Sequence, residues 1–265
     1  MKQGRVVLIT GETRGFGFEM AKLFIENNDI VCGFSRNEFD YPNIYHQVGD
    51  ISNEDDCKNC VANIIKKYQR IDILINNAGF GIFGPIEETT LIKAKKQVDV
   101  TFFGAFLMTK EVLPYMRKEG KGNIINISSI GGVVPLPYQG FYSASKCAMD
   151  MLFDALRAEV YKYNIQITSV KPGDSCTSFT KNRESEISND SAYIESFNRT
   201  LKNVSKDEST GFKPIKVAKI VLKISKKRKA PYSVSVGAKD KLLSFIFKIL
   251  PKRLRNYLLY KIYAK

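Results

Sequence analysis

The sequence predicts an α/β fold built on a parallel sheet with helices on both faces. Short runs rich in β-branched residues recur at 6–10, 30–35, 44–48, 71–76, 123–128, 165–171 and 232–236, and most of the gaps between them carry helical periodicity. No internal repeat or low-complexity linker divides the 265 residues. Strands that alternate with helices form βαβ units, whose crossovers cover both faces of a parallel sheet. The expected organisation is one domain over 1–238 and a basic helical extension over 239–265. Within the domain, the polar stretch 178–211 serves as a lid or substrate loop.

The first strand, RVVLIT, starts almost at once and leaves no room for a signal peptide. It ends in TGETRGFG, residues 10–17, and a helix over 18–27 follows. Gly11 permits a sharp turn, Gly15 lets the backbone approach a bound pyrophosphate, and Gly17 lets the helix pack closely on the strand. The N-terminus of that helix offers free N–H groups and partial positive charge to phosphate. The second strand ends in Ser35-Arg36, and the third is followed by Asp50-Ile51. A capping-box pattern, Ser52 with Asp55 three residues on, opens the helix over 54–68. Cys57 and Cys60 fall in that helix as C-x-x-C with no second ligand pair, which argues against a metal or redox role. The expected location is the cytoplasm, with peripheral membrane contact open to the tail, and the five cysteines, an odd number, read there as reduced thiols. His46 is the only histidine, so a Ser-His-Asp hydrolase would depend on it alone.

After a long helical pattern over 91–118 and the fifth strand comes SSIGGVVPLPYQGFYSASK, residues 128–146. Tyr142 and Lys146 stand at i and i+4 of the helix that follows, so the phenol and the ammonium share a face. A phenol beside a fixed cation is expected to be a proton donor whose pKa falls below its ordinary value of about 10. Ser129, brought alongside by the intervening loop, can hydrogen-bond the same substrate oxygen.

These segments together resemble the short-chain dehydrogenase/reductase family, in its form with a single Rossmann domain. The likeness is greatest to hydroxysteroid and retinol dehydrogenases. TGETRGFG matches the family's cofactor loop, through Gly11, Thr13, Arg14, Gly15, Phe16 and Gly17. Asn76 and the run Asn77, Ala78 and Gly79 match its strand-four motif. Ser129, Tyr142 and Lys146 match its catalytic set. Pro172, Gly173, Ser175 and Thr177 fall in PGDSCT, the segment that contacts the nicotinamide end in this family, and Asp50 and Ile51 resemble the pair that contacts adenine. The resemblance implies a doubly wound sheet of seven strands in the order 3-2-1-4-5-6-7, NAD or NADP as cofactor, and a homodimer or homotetramer.

It also implies hydride transfer between a nicotinamide and a carbonyl or alcohol. Tyr142 acts as general acid or base, Ser129 holds the oxygen, and Lys146 binds the nicotinamide ribose. An acidic residue at the tip of the second strand would select NAD, whereas this chain has Arg36 there and Arg14 nearby. Guanidinium groups suit a 2′-phosphate, so NADP(H) is expected over NAD(H). At the position where the family usually has an asparagine, this chain has Thr101, in VDVTFFG. Two readings follow: a reductase with a modified proton relay, or a dinucleotide-binding protein with weak activity and a regulatory role. Phe80, Phe83, Leu136, Tyr138 and Phe179 are expected to line an apolar mouth for a lipophilic steroid-, retinoid- or acyl-like substrate. No metal site is expected.

The net charge of +14 is concentrated at one end: residues 213–265 hold 16 of the 41 Lys and Arg and one acidic residue, Asp240. After strand seven, KDKLLSFIFKILPKRLRNYLLYKIYAK reads as two basic amphipathic helices broken at Pro251. Such a tail serves as a peripheral membrane or partner-docking element, or it folds over the substrate mouth or a subunit contact. No nucleic-acid-reading module is recognisable, and nucleic acid is not an expected partner.

Overall fold

The computed structural model of the chain describes residues 4–176, 183–185 and 187–264. Its main sheet is entirely parallel, with the order β3-β2-β1-β4-β6-β7-β9. The strands are β1 (Val6–Thr10), β2 (Ile30–Ser35), β3 (Ile44–Val48), β4 (Ile73–Asn76), β6 (Gly122–Ile127), β7 (Ile165–Pro172) and β9 (Ser233–Val236). This is the doubly wound order expected from the sequence. Two short strands outside that expectation, β5 (Ile82–Phe83) and β8 (Glu184–Ser185), pair as a separate ribbon.

All five residues of β1 are buried, because side chains alternate between two covered faces. Val6 and Leu8 join Cys32, Phe34, Leu74 and Ile124 in a core covered by α2 (Glu54–Tyr68), α4 (Gly104–Glu119) and α5 (Gly140–Val160). Val7 and Ile9 join Val31, Ile73, Ile75 and Ile125 under α1 (Gly15–Glu26) and α7 (Ile215–Ser225). Each fully buried Val, Leu or Ile contributes roughly 1.5–3 kcal/mol. Truncating Leu8 or Ile9 to alanine would therefore weaken the strand from which the turn at Gly11 springs.

Helix α2 spans the expected residues 54–68, but its cap is not the expected one. Asn53, not Ser52, is its cap and accepts from the N–H of Asp56 (3.0 Å). Ser52 is diverted because its hydroxyl and N–H both donate to Asp50 Oδ1 (2.7 and 2.9 Å). The expected helix over 91–118 is also interrupted. It runs as α3 (Leu91–Val98), a wide π-turn at Asp99–Phe103, and then α4. Within the stretch 178–211 lies α6 (Ile194–Thr210). The chain closes with α8 (Ala238–Ile249) and α9 (Lys252–Leu259), separated at Pro251 as expected, and a last π-turn at Tyr260–Ala264 that packs on α6.

Candidate active site

Chain order reverses at the β1/β4 boundary, and a ligand crevice forms outside the carboxyl ends of the strands at such a point. A cavity of about 540 Å³ lies there, running from Arg36 at the tip of β2 past the glycine-rich turn to Ser129, Tyr142 and Lys146.

The turn is fastened to β4. Asn77 Nδ2 donates to Thr10 O (2.9 Å) and Gly11 O (3.0 Å), and the N–H groups of Asn77 and Ala78 donate to Thr10 Oγ1. Gly11 (φ +68°) and Gly15 (φ +56°) hold left-handed conformations that suit glycine. A side-chain carbon at Gly17 would overlap Gly11 O, so Gly17 serves helix-on-turn packing and does not line the cavity. Helix α1 has no side-chain cap and no acidic residue in its first turn, which leaves its N-terminus suited to an anionic group. The remaining residues expected at a dinucleotide line the cavity: Thr13, Arg14, Phe16, Arg36, Asp50, Ile51, Ala78, Gly79, Pro172, Gly173 and Ser175. Thr177 lies outside the described residues. This donor set and shape fit a dinucleotide.

Tyr142 and Lys146 sit in the first two turns of α5. Ser143 Oγ, on the same helix, accepts from Leu136 N (3.1 Å) and so ties down the loop that leads from Ser129. Ser129 Oγ accepts from Gly131 N (3.0 Å), and its hydroxyl is hydrogen-bonded to the Tyr142 phenol. Lys146 is buried, donates from Nζ to Ile127 O (2.7 Å), and stands 6.0 Å from the Tyr142 ring centre.

The electrostatics correct one expectation. Burial is the main influence on the Tyr142 phenol and raises its pKa; the Ser129 hydrogen bond and Arg183 lower it, while Glu208 raises it. The phenol thus holds its proton more firmly than a free tyrosine. Lys146 bears the opposite cost, since burial pulls its pKa down to about 8 against the raising influence of Asp150. Partial burial tends to raise the pKa of Asp50, but the two Ser52 hydrogen bonds, with Arg36 and Lys96, hold it below the usual carboxylate range.

Thr101 is buried in the π-turn, and its Oγ accepts from Gln97 Nε2 (2.8 Å). It does not line the cavity, but its hydroxyl and Lys146 Nζ flank the same point beside Gly79, at 3.8 and 3.9 Å. Phe80 and Leu136 line the mouth as expected. Phe83 and Tyr138 do not. They pack with Phe197 in a cluster of their own, with Tyr138 Oη bonded to Ser196 Oγ (2.5 Å), because α6 supplies the third ring. Phe179 lies outside the described residues.

Three residues absent from the sequence expectation complete the site. Asp207 and Glu208, in the last turn of α6, line the cavity, and Glu208 pairs with the buried Arg183. Acidic residues at a helix C-terminus oppose the helix dipole, and that placement was their one sequence signal. Arg183 carries no such signal.

The short chain dehydrogenase family profile matches residues 5–188. The chain belongs to the short-chain dehydrogenase/reductase family. It is 41% identical to a 3-ketodihydrosphingosine reductase of Bacteroides thetaiotaomicron, over 99% of both chains. Among solved structures it is similar to a short-chain dehydrogenase from Streptomyces avermitilis, at 28% identity and a TM-score of 0.85, covering 96% of this chain and 95% of that one. It is also similar to ElxO with NADP bound, at 26% identity and a TM-score of 0.73, covering 88% and 97%. Membership makes this short-chain dehydrogenase/reductase an oxidoreductase with a nucleotide-binding fold.

Proposed function

We propose that the protein is an NADPH-dependent reductase of a long-chain ketone with an amino group on the carbon next to the carbonyl, the chemistry of a 3-ketosphingoid base. The observation that carries this reading is the Ser129–Tyr142 hydrogen bond, with Lys146 one turn on, in the same cavity as the glycine-rich turn. The extended similarity to a 3-ketodihydrosphingosine reductase supports the substrate class. Asp207 and Glu208 on the cavity wall, with Glu208 acting on the Tyr142 phenol, support a substrate with positive charge near its carbonyl. NADP over NAD is supported by Arg36 and Arg14 on the cavity wall, which offer guanidinium groups to a 2′-phosphate.

When bound, the nicotinamide cofactor supplies the hydride. Tyr142, with its proton firmly held, gives that proton to the carbonyl oxygen as negative charge develops there. The Ser129 hydroxyl holds the same oxygen in place. Lys146, charged below about pH 8, supplies positive charge behind the phenol and eases release of its proton. Thr101, buried with its hydroxyl engaged by Gln97, stands where the family's proton relay would carry an asparagine, so any return of a proton to Lys146 runs by a modified route. A homo-oligomer belongs to the same reading by analogy with the family.

The test is oxidation of NADPH by purified protein with 3-ketodihydrosphingosine and with the same ketone lacking the amino group. Turnover that prefers the amino ketone, and that falls about 10²–10⁴-fold in Tyr142→Phe while NADPH still binds, supports the proposal. Absence of turnover with NADPH bound would leave a dinucleotide-binding protein without this activity.

A further inference from the structure

Helix α8 carries apolar side chains on two opposite faces. Leu243 and Phe247 pack with Leu259 of α9 against Ile130, Val134 and Leu136, beside Ser129. The tail therefore folds over the mouth of the cavity, and Leu243 and Ile262 form part of its wall. The other face has no cover: Leu242, Phe245 and Ile249, at i, i+3 and i+7, are 61%, 61% and 64% exposed. Leu254, Tyr257, Tyr260 and Ile262 extend the exposed apolar surface along α9 and the final turn. Exposed Lys241, Lys252, Arg253 and Lys261 surround it.

We infer that this face of α8 and α9 docks on the surface of an anionic lipid bilayer, with the mouth of the cavity set at the lipid boundary. An interfacial helix buries its apolar stripe to the depth of the headgroups and gains about 1 kcal/mol for each cation near an anionic surface. No helix among the described residues is long and apolar enough to cross a membrane, so the element lies on the bilayer. A second copy of the chain is a poor occupant. Two-fold pairing of this face would bring Lys241, Lys252, Arg253 and Lys261 against their own counterparts, whereas anionic headgroups neutralise them. Leu243 of α8 and Ile262 of the final turn place the cavity wall on elements that also carry the exposed apolar surface, so a lipophilic molecule leaving the bilayer meets the mouth directly. Only this direction of entry rests on the proposed function; docking itself rests on the exposed stripe and its charge.

The experiment is flotation of the full chain with phosphatidylcholine vesicles, with and without roughly a third phosphatidylglycerol. Wild type and Phe245→Glu/Ile249→Glu are compared, and each is assayed for NADPH binding to show that the fold is intact. Flotation with the anionic vesicles about tenfold above the neutral ones, and lost in the double variant with NADPH binding unchanged, is the expected result. No flotation of wild type, or equal flotation of both proteins, would overturn the inference. So would a dimer in size-exclusion chromatography that the double variant abolishes, since the stripe would then belong to a second copy. Vesicle binding without ketone turnover would uphold docking and refute the proposed reaction.

Discussion

Glu12 Oε1 lies 2.5 Å from His46 Nδ1, and the Glu12 carboxyl group occupies the space that the missing side chain of Gly33 leaves free. Burial raises the pKa of that carboxyl group, against hydrogen bonds from its own and the Phe34 backbone and the pull of His46. Glu12 follows Gly11 in the cofactor turn, so the turn is anchored from beneath through β2 and β3. A methyl group at position 33 would overlap this carboxyl group. Gly33→Ala is expected to lose about 1–3 kcal/mol in denaturant unfolding, and to weaken NADPH binding as the turn shifts. If both are unchanged, the anchor is not rigid.

The Lys146 ammonium is present below about pH 8 and lost above it. Because the charged form serves the reaction, kcat/KM for ketone reduction is expected to fall as pH rises through about 8. Asp150 holds the proton on Lys146, so Asp150→Asn should move that limb to lower pH. A limb that stays in place in the variant would show that another group controls it.

Arg36 lines the cavity at the tip of β2. Its replacement by alanine removes charge-assisted hydrogen bonds to a 2′-phosphate, and should raise the KM for NADPH roughly 10- to 100-fold while leaving that for NADH nearly constant. Equal changes for both cofactors would remove the basis for an NADP preference.

Glu208 pairs with Arg183 and acts on the Tyr142 phenol. Glu208→Gln keeps the hydrogen-bonding shape but removes the charge. It should raise the KM for the amino ketone by about tenfold or more, with little change for the ketone lacking the amino group. A parallel rise for both substrates would assign Glu208 to holding α6 in place.

The sheet was legible because inner strands such as β1, β2 and β4 are short, nearly continuous apolar runs, a pattern that burial on both faces imposes, while the edge strands β3 and β9 were placed by β-branched and aromatic residues between turn signals. The glycine turn and Tyr142–Lys146 were legible because their spacing is local. Interactions between distant segments were not. Glu12 reads as one more polar residue in a turn, and only His46, 34 positions away, and Gly33 explain how it can be buried. Phe83 and Tyr138 looked like mouth residues until α6 brought Phe197 against them. The upward pKa shift of Tyr142 depends on burial, which residue spacing does not encode. The π-turn inserts no distinctive residue type, so the pattern over 91–118 read as one helix.

The excursion that carries Asp207 and Glu208 leaves the sheet after β7 and returns at its own starting point. Ser175 bridges Phe212, Phe212 N donates to Asp174 O (3.3 Å), and Cys176 N donates to Phe212 O (3.1 Å). A segment stitched together at its base can change length or composition with little effect on the strand register beneath it. On the proposed function, part of the substrate's recognition therefore sits in a segment whose two ends meet, apart in sequence from Ser129, Tyr142 and Lys146. Grafting another family member's 176–211 segment between these two stitches is expected to change substrate preference, provided that the graft keeps the pairing of β8 with β5 and the contact of Phe197 with Phe83 and Tyr138.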